Sequence, residues 1–183
     1  MPKLCGEIEE FVTGKRESQQ HNFERVLATV LFTDIVDSTN RAVQIGDHSW
    51  HSLLDEHDRM ARRIIERYRG HLVKTTGDGI LATFDGPGRA IRCALDFETA
   101  AAQIGLPLRA GLHAGEVEIR HQDIGGIAVH AAARVMALSH PGEVLVSRVV
   151  MDLVAGAGLK FTHRGAHKLK GLTGRWDLFA ASA

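Results

Sequence analysis

The first strong apolar run, Val26-Leu27-Ala28-Thr29-Val30-Leu31-Phe32, is interrupted by a single threonine. A half-exposed strand would alternate, so the run predicts a central strand covered on both faces. It passes into Thr33-Asp34-Ile35-Val36-Asp37-Ser38-Thr39, where Ser38 or Thr39 suits a helix N-cap. Trp50, Leu53, Leu54, His57, Met60, Ala61, Ile64, Ile65 and Tyr68 then recur at helical spacing. They predict one long helix, stopped by Gly70. Leu72–Thr76 and Ile80–Phe84 are short strand patterns around Gly77-Asp78-Gly79, a hairpin signal.

A second helix is expected from about Pro87 to Ile104, with Ala90, Ile91, Ala94, Leu95 and Ala101 inward. Leu108–Gly115 and Val117–Arg120 read as two further strands, Gly125–Leu138 as a helix rich in small residues, and Glu143–Val146 as a short strand. A short helix over Arg148–Ala155 and strands at Phe161–His163 and Trp176–Ala180 complete the pattern. The order β-α-β-β-α-β, with a helix and strands after it, predicts an α+β fold with a ferredoxin-like core. Its sheet should be mainly antiparallel and flanked by helices. Residues 1–24 are polar and charged, apart from a candidate short helix at Glu7–Val12, and read as a lead-in segment or linker to a domain spanning 25–183. Such linkers often join a catalytic module to a regulatory one, so a fused or partner regulatory domain is an open option.

Composition narrows the classes. The 22 basic and 22 acidic residues cancel, which argues against a nucleic-acid binder with a broad basic surface. No apolar run approaches a membrane span, and the N-terminus lacks the apolar core of a signal peptide. The two cysteines, Cys5 and Cys93, have no metal-ligand spacing and fit a reduced, cytoplasmic setting.

Chemistry concentrates at Asp34 and Asp78. One follows the most apolar strand and the other tips a hairpin. If the strands are neighbours, both carboxylates emerge at one sheet edge, a site for hard divalent cations that bridge phosphates. Taken singly, each aspartate is better read as a cap or a turn residue; the pairing favours the metal. His48, His51 and His57 share a helix without the H-E-x-x-H spacing, and acidic neighbours suggest a solvated face. His113, on a strand, reads as structural. There is no G-x-x-x-x-G-K-[ST] loop.

Five segments resemble, in order, the motifs of class III nucleotidyl cyclases, especially actinobacterial cyclase domains. They are Phe32–Thr39, Val73–Gly79, Arg109–Gly115, Gly126–Arg134 and Leu169-Lys170-Gly171, together covering roughly residues 26 to 180. The resemblance implies a homodimer with shared active sites. Each site would convert ATP to 3′,5′-cyclic AMP and pyrophosphate by attack of the ribose 3′-hydroxyl on the α-phosphate. It assigns two divalent cations per site, Mg²⁺ or Mn²⁺, to Asp34, Asp78 and the carbonyl of Ile35. Arg109 and Lys170 would clamp the β- and γ-phosphates, and Arg134 would stabilise charge on the α-phosphoryl oxygens.

The resemblance also gives base reading to Lys74 as donor and Asp123 as acceptor. Adenine offers an amino donor at N6 and an acceptor at N1, and guanine reverses both, so this pair should prefer ATP. A guanylyl or relaxed-specificity cyclase, or a low-activity nucleotide-binding and dimerisation module, is the alternative. His130 departs from the family, which usually has Asn there to orient the ribose and the reacting phosphate. Histidine retains a donor, but its ring is bulkier.

Overall fold

The computed structural model describes residues 24–183. The candidate helix at Glu7–Val12, Cys5 and almost all of the lead-in segment lie outside them. The chain runs β1 (Arg25–Ile35), α1 (Ser38–Ile45), α2 (Asp47–Arg67), β2 (His71–Thr75), β3 (Gly79–Phe84), α3 (Pro87–Gln103), β4 (Leu108–Arg120) and β5 (Asp123–Gly125). It continues through α4 (Ile127–Ala137), β6 (Val144–Ser147), α5 (Arg148–Leu153), β7 (Lys160–His167) and β8 (Trp176–Ser182).

The sheet order is β2-β3-β1-β4-β6-β8-β7, with β5 folded back on β4. Its first four strands, β2-β3-β1-β4, are antiparallel and form the ferredoxin-like core expected from the sequence. The fold is therefore α+β, with a mainly antiparallel sheet; β4 with β6 is the parallel pair. β1 is central because its alternate residues feed two cores. Leu31 and Ile35 pack with Met60, Ile64, Ile65, Ile91 and Phe97 beneath α2 and α3. Ala28 and Val30 pack on the other face with Val117 and with Ala128 and Ala132 of α4.

Several expectations need correction. The predicted long helix is two helices, because Gly46 takes a φ of 82°, a left-handed conformation that suits glycine and ends the first. Ser38 and Thr39 are not the cap: Asp37 holds the N-cap position at a φ of 58°, with no side-chain capping bond. Leu108–Arg120 is one continuous strand. Gly115 is no turn, for a Cβ there would meet the Ala128 Cβ at 3.0 Å, so it lets α4 lie close to the sheet. His57 is not on a solvated face. It is fully buried against Phe97, with Nδ1 2.9 Å from Asp58, because its position in the apolar stripe outweighs its acidic neighbours.

Candidate active site

Asp34 lies inside β1 rather than past its end, paired across the sheet with Gly79 on β3 and Arg109 on β4. Strand alternation puts its side chain on the face with Val30, the face that α4 covers. The hairpin reaches Asp34 because Gly79 has no side chain. A Cβ there would sit 2.0 Å from the Thr33 carbonyl oxygen. The Ile35 N–H donates to the Asp78 carbonyl at 2.9 Å, which ties the hairpin tip to the end of β1. The Ile35 side chain is buried on the opposite face, so it can face this corner only through its backbone.

The two carboxylates thus share one corner of the sheet, and their charges feel one another. Burial pushes the Asp34 carboxyl above its ordinary range, Arg109 pulls it back by hydrogen bonding, and Asp78 pushes it up again. Arg109 donates from Nη2 and Nε to Asp34 Oδ2 at 2.7 and 3.1 Å. Ser38 donates from Oγ to Asp78 Oδ2 at 2.5 Å. Acceptor-only groups crowded in this way suit a cation. Among the described residues, no group of three or more His, Cys, Asp or Glu side chains could hold a metal alone. Two carboxylates completed by backbone, water and phosphate oxygens match how Mg²⁺ is usually bound.

Lys74 and Asp123, on strands β2 and β5, also meet: Lys74 Nζ stands 2.6 Å from Asp123 Oδ2. Asp123 Oδ1 accepts from the Ile124 N–H at 2.8 Å. Lys74 first, and then this backbone bond, hold the Asp123 carboxyl below its usual range. A cavity of about 90 Å³ opens beside Asp123, with Val26, Ala28, Val73, Val117 and Ile124 on its walls. Asp123 opens the short strand β5.

Helix α4 presents the remaining pair. Ala128, Ala131, Ala132 and Val135 turn inward, leaving His130 and Arg134, one helical turn apart, on the exposed side. The approach is close because β4 carries Gly111, whose Cβ would fall 2.1 Å from the Met136 backbone nitrogen. Lys170 lies in the loop between β7 and β8. Its neighbour Leu169 is buried with Val135, Leu145 and Leu178, which pins that loop to α4. Among the described residues the side chains of His130, Arg134 and Lys170 have no hydrogen-bond or ion-pair partner. The structure therefore joins Asp34 with Asp78 and Arg109, and Lys74 with Asp123, by direct contact. It joins His130 with Arg134 only by a shared helix face. Ser38 was missed as part of this site; its place in the Asp37-Ser38-Thr39 segment looked like a cap.

A larger cavity, about 560 Å³, lies on α2 among Glu56, Arg59, Arg62, Arg63 and Glu66 and contains none of these residues. Size alone does not locate the chemistry here. Among the described residues, no helix is long and apolar enough to cross a membrane.

A family model for the adenylate and guanylate cyclase catalytic domain matches residues 19–180. A provisional adenylate cyclase of Rhizobium meliloti is 32% identical over 168 residues, which cover 84% of this chain and 28% of that protein. The chain thus spans under a third of this relative's length. The adenylate/guanylate cyclase/hydrolase of Silicibacter pomeroyi superposes with a TM-score of 0.79 at 31% identity, covering 87% of this chain and 98% of its own. The adenylyl cyclase CyaB of P. aeruginosa gives a TM-score of 0.82 at 19% identity, covering 88% and 96%, and shares the fold.

Proposed function

The chain belongs to the adenylate and guanylate cyclase catalytic domain family, and on that premise we propose that it is an adenylyl cyclase acting as a homodimer. Residues 25–183 form its catalytic unit, in a cytoplasmic setting. The observation that carries the choice of base is the Lys74–Asp123 pair. It sets one cationic donor and one ionised acceptor side by side, and Asp123 also borders a small cavity walled by both apolar and polar side chains. Adenine's N1 would accept from Lys74 and its N6 amino group would donate to Asp123. Guanine would set O6 against the Asp123 carboxylate and an N–H against the Lys74 ammonium.

Asp34, Asp78 and the Ile35 carbonyl would hold two divalent cations, Mg²⁺ or Mn²⁺. When bound, these supply acidification of the ribose 3′-hydroxyl and neutralisation of the polyphosphate. The chain's own groups do the rest. Arg109, whose guanidinium donates to Asp34 Oδ2 at the edge of the site, would clamp the β- and γ-phosphates. Lys170 would join it there. Arg134 would donate to the α-phosphoryl oxygens as charge grows on them. His130 would orient the ribose and reacting phosphate through a ring N–H. In the proposed dimer, Asp34 and Asp78 come from one subunit, while Lys74, Asp123, His130 and Arg134 come from the other.

The test is an assay of the purified chain with ATP and with GTP, each with Mg²⁺ or Mn²⁺, separating cyclic products from simple hydrolysis. Cyclic AMP and pyrophosphate are expected, and Asp34→Ala or Asp78→Ala should abolish both without unfolding the protein. Cyclic GMP as the main product, or full activity in either variant, would overturn the reading.

A further inference from the structure

Ser38 stands in the first turn of α1, where serine ordinarily spends its hydroxyl on the helix backbone. Here α1 has no side-chain capping bond, and the Ser38 hydroxyl instead crosses 40 positions of sequence to Asp78 Oδ2 at 2.5 Å. An ionised carboxylate has only acceptors, so Ser38 is the donor, and the separation is that of a charge-assisted O–H···O⁻ bond.

The local backbone aims the hydroxyl. Asp37 takes a left-handed φ of 58° and is held by Asn40, whose Nδ2 donates to Asp37 Oδ1 at 2.6 Å. That turn swings Ser38 off the line of β1 and toward the hairpin. Asp78 needs such a partner. Its carbonyl is fixed by Ile35, but its side chain follows Gly77, which has a φ of 88° and nothing within 4 Å of where a Cβ would stand. Among the described residues, Ser38 is the only hydroxyl or nitrogen side-chain donor that reaches the Asp78 carboxylate.

We propose that Ser38 is the positioning residue for Asp78, fixing its carboxylate so that the remaining oxygen lone pairs face a divalent cation. This rests on the cyclase reading of the site. The hydroxyl occupies one lone pair of Oδ2, and an ionised carboxylate has further lone pairs to offer a cation. It also removes the rotamer freedom that the carboxylate would otherwise lose when the cation arrives. Partners that orient metal ligands in this way typically change metal affinity by about 10–100-fold.

Mn²⁺ binding followed by electron paramagnetic resonance, with 3′-deoxy-ATP present, isolates the effect, because that nucleotide lacks the attacking hydroxyl. Ser38→Ala should weaken Mn²⁺ binding about 10–100-fold, and Ser38→Thr, which keeps the hydroxyl, should restore most of it. In the cyclase assay the Mn²⁺ concentration for half-maximal rate should rise in Ser38→Ala, while kcat at saturating Mn²⁺ falls far less. Unchanged Mn²⁺ affinity in a folded Ser38→Ala chain overturns the proposal alone. So does a Ser38→Thr chain as weak as Ser38→Ala. A wild-type chain that binds no Mn²⁺, or one bound equally well after Asp78→Asn, overturns the metal reading and this proposal with it.

Discussion

Lys74 Nζ and Asp123 Oδ2 lie 2.6 Å apart although 49 positions separate them in the chain. Both side chains are about half exposed, so the pair contributes little to stability and is free to open toward a ligand. Replacing Lys74 with Glu and Asp123 with Ala should therefore leave the fold intact and lower the ATP-to-GTP ratio of kcat/KM. The ratio measured with purified protein checks this; no change in the double variant would mean that the base is read elsewhere.

Asp34 is fixed in the sheet, whereas Arg134 projects from the exposed side of α4. If each site draws on two chains, Asp34→Ala and Arg134→Ala should each be nearly inactive, and mixing them should restore activity. One site of the mixed dimer would then carry both defects and the other neither. Proven subunit exchange without recovered activity would count against a shared site.

His130 is exposed and its side chain has no partner among the described residues, so no packing demands a ring at that position. His130→Asn should keep or raise cyclase activity, because an amide offers the same kind of donor with less bulk. His130→Ala should lower kcat by roughly 10²-fold or more, the usual cost of one oriented donor. Equal losses in both variants would make the histidine a specialised catalytic group.

His113 is buried, with Nδ1 2.7 Å from the Ser147 hydroxyl and Trp176 edge-on at 5.1 Å. Burial pulls its pKa from 6.5 down to about 4. The unfolded chain therefore takes up a proton before the folded one does. His113 contributes stability above about pH 6.5 that is lost progressively as pH falls toward 4, in total on the order of 3 kcal/mol. His113→Gln should flatten that part of the pH dependence of urea unfolding. A slope between pH 4 and 6.5 equal to the wild-type slope would rule this out.

Gly79 and Gly111 admit no side chain. A methyl at Gly79 would collide with the Thr33 carbonyl at 2.0 Å, and one at Gly111 with the Met136 backbone at 2.1 Å. Each alanine substitution should cost about 1–3 kcal/mol or more, since backbone must move to make room. Gly79→Ala should in addition separate Asp34 from Asp78 and abolish activity. Stability within about 0.5 kcal/mol of wild type for either variant would contradict these contacts.

The helix faces and the order of the strands were legible because their apolar periods are strong. The breaks were not. Gly46 sits in a helical pattern that reads through it, and Gly115 suggests an interruption where the strand in fact continues. Both errors come from one ambiguity: a glycine can mark a turn or a close approach, and only the neighbouring layer decides which. Asp34 and Asp78 were legible as a pair from their local settings. The grip of Arg109 on Asp34 was not, because it depends on the β1–β4 register across 75 positions. Ser38 illustrates the same limit: a local role was available to it and a distant one prevailed.

Helix α1 has no buried side chain at all. Besides its own backbone bonds, it is moored by Ser38 on Asp78 and by Arg41, which donates to the carbonyls of Gly105 at 2.7 Å and Val36 at 3.3 Å. Without a core contribution, its opening free energy should fall near the bottom of the molecule's range, so its amides should exchange with deuterated solvent early. Ligand binding and local opening are then thermodynamically linked. An ion that immobilises Asp78 also immobilises Ser38, and slower exchange over residues 38–45 would report occupancy of the site without any turnover.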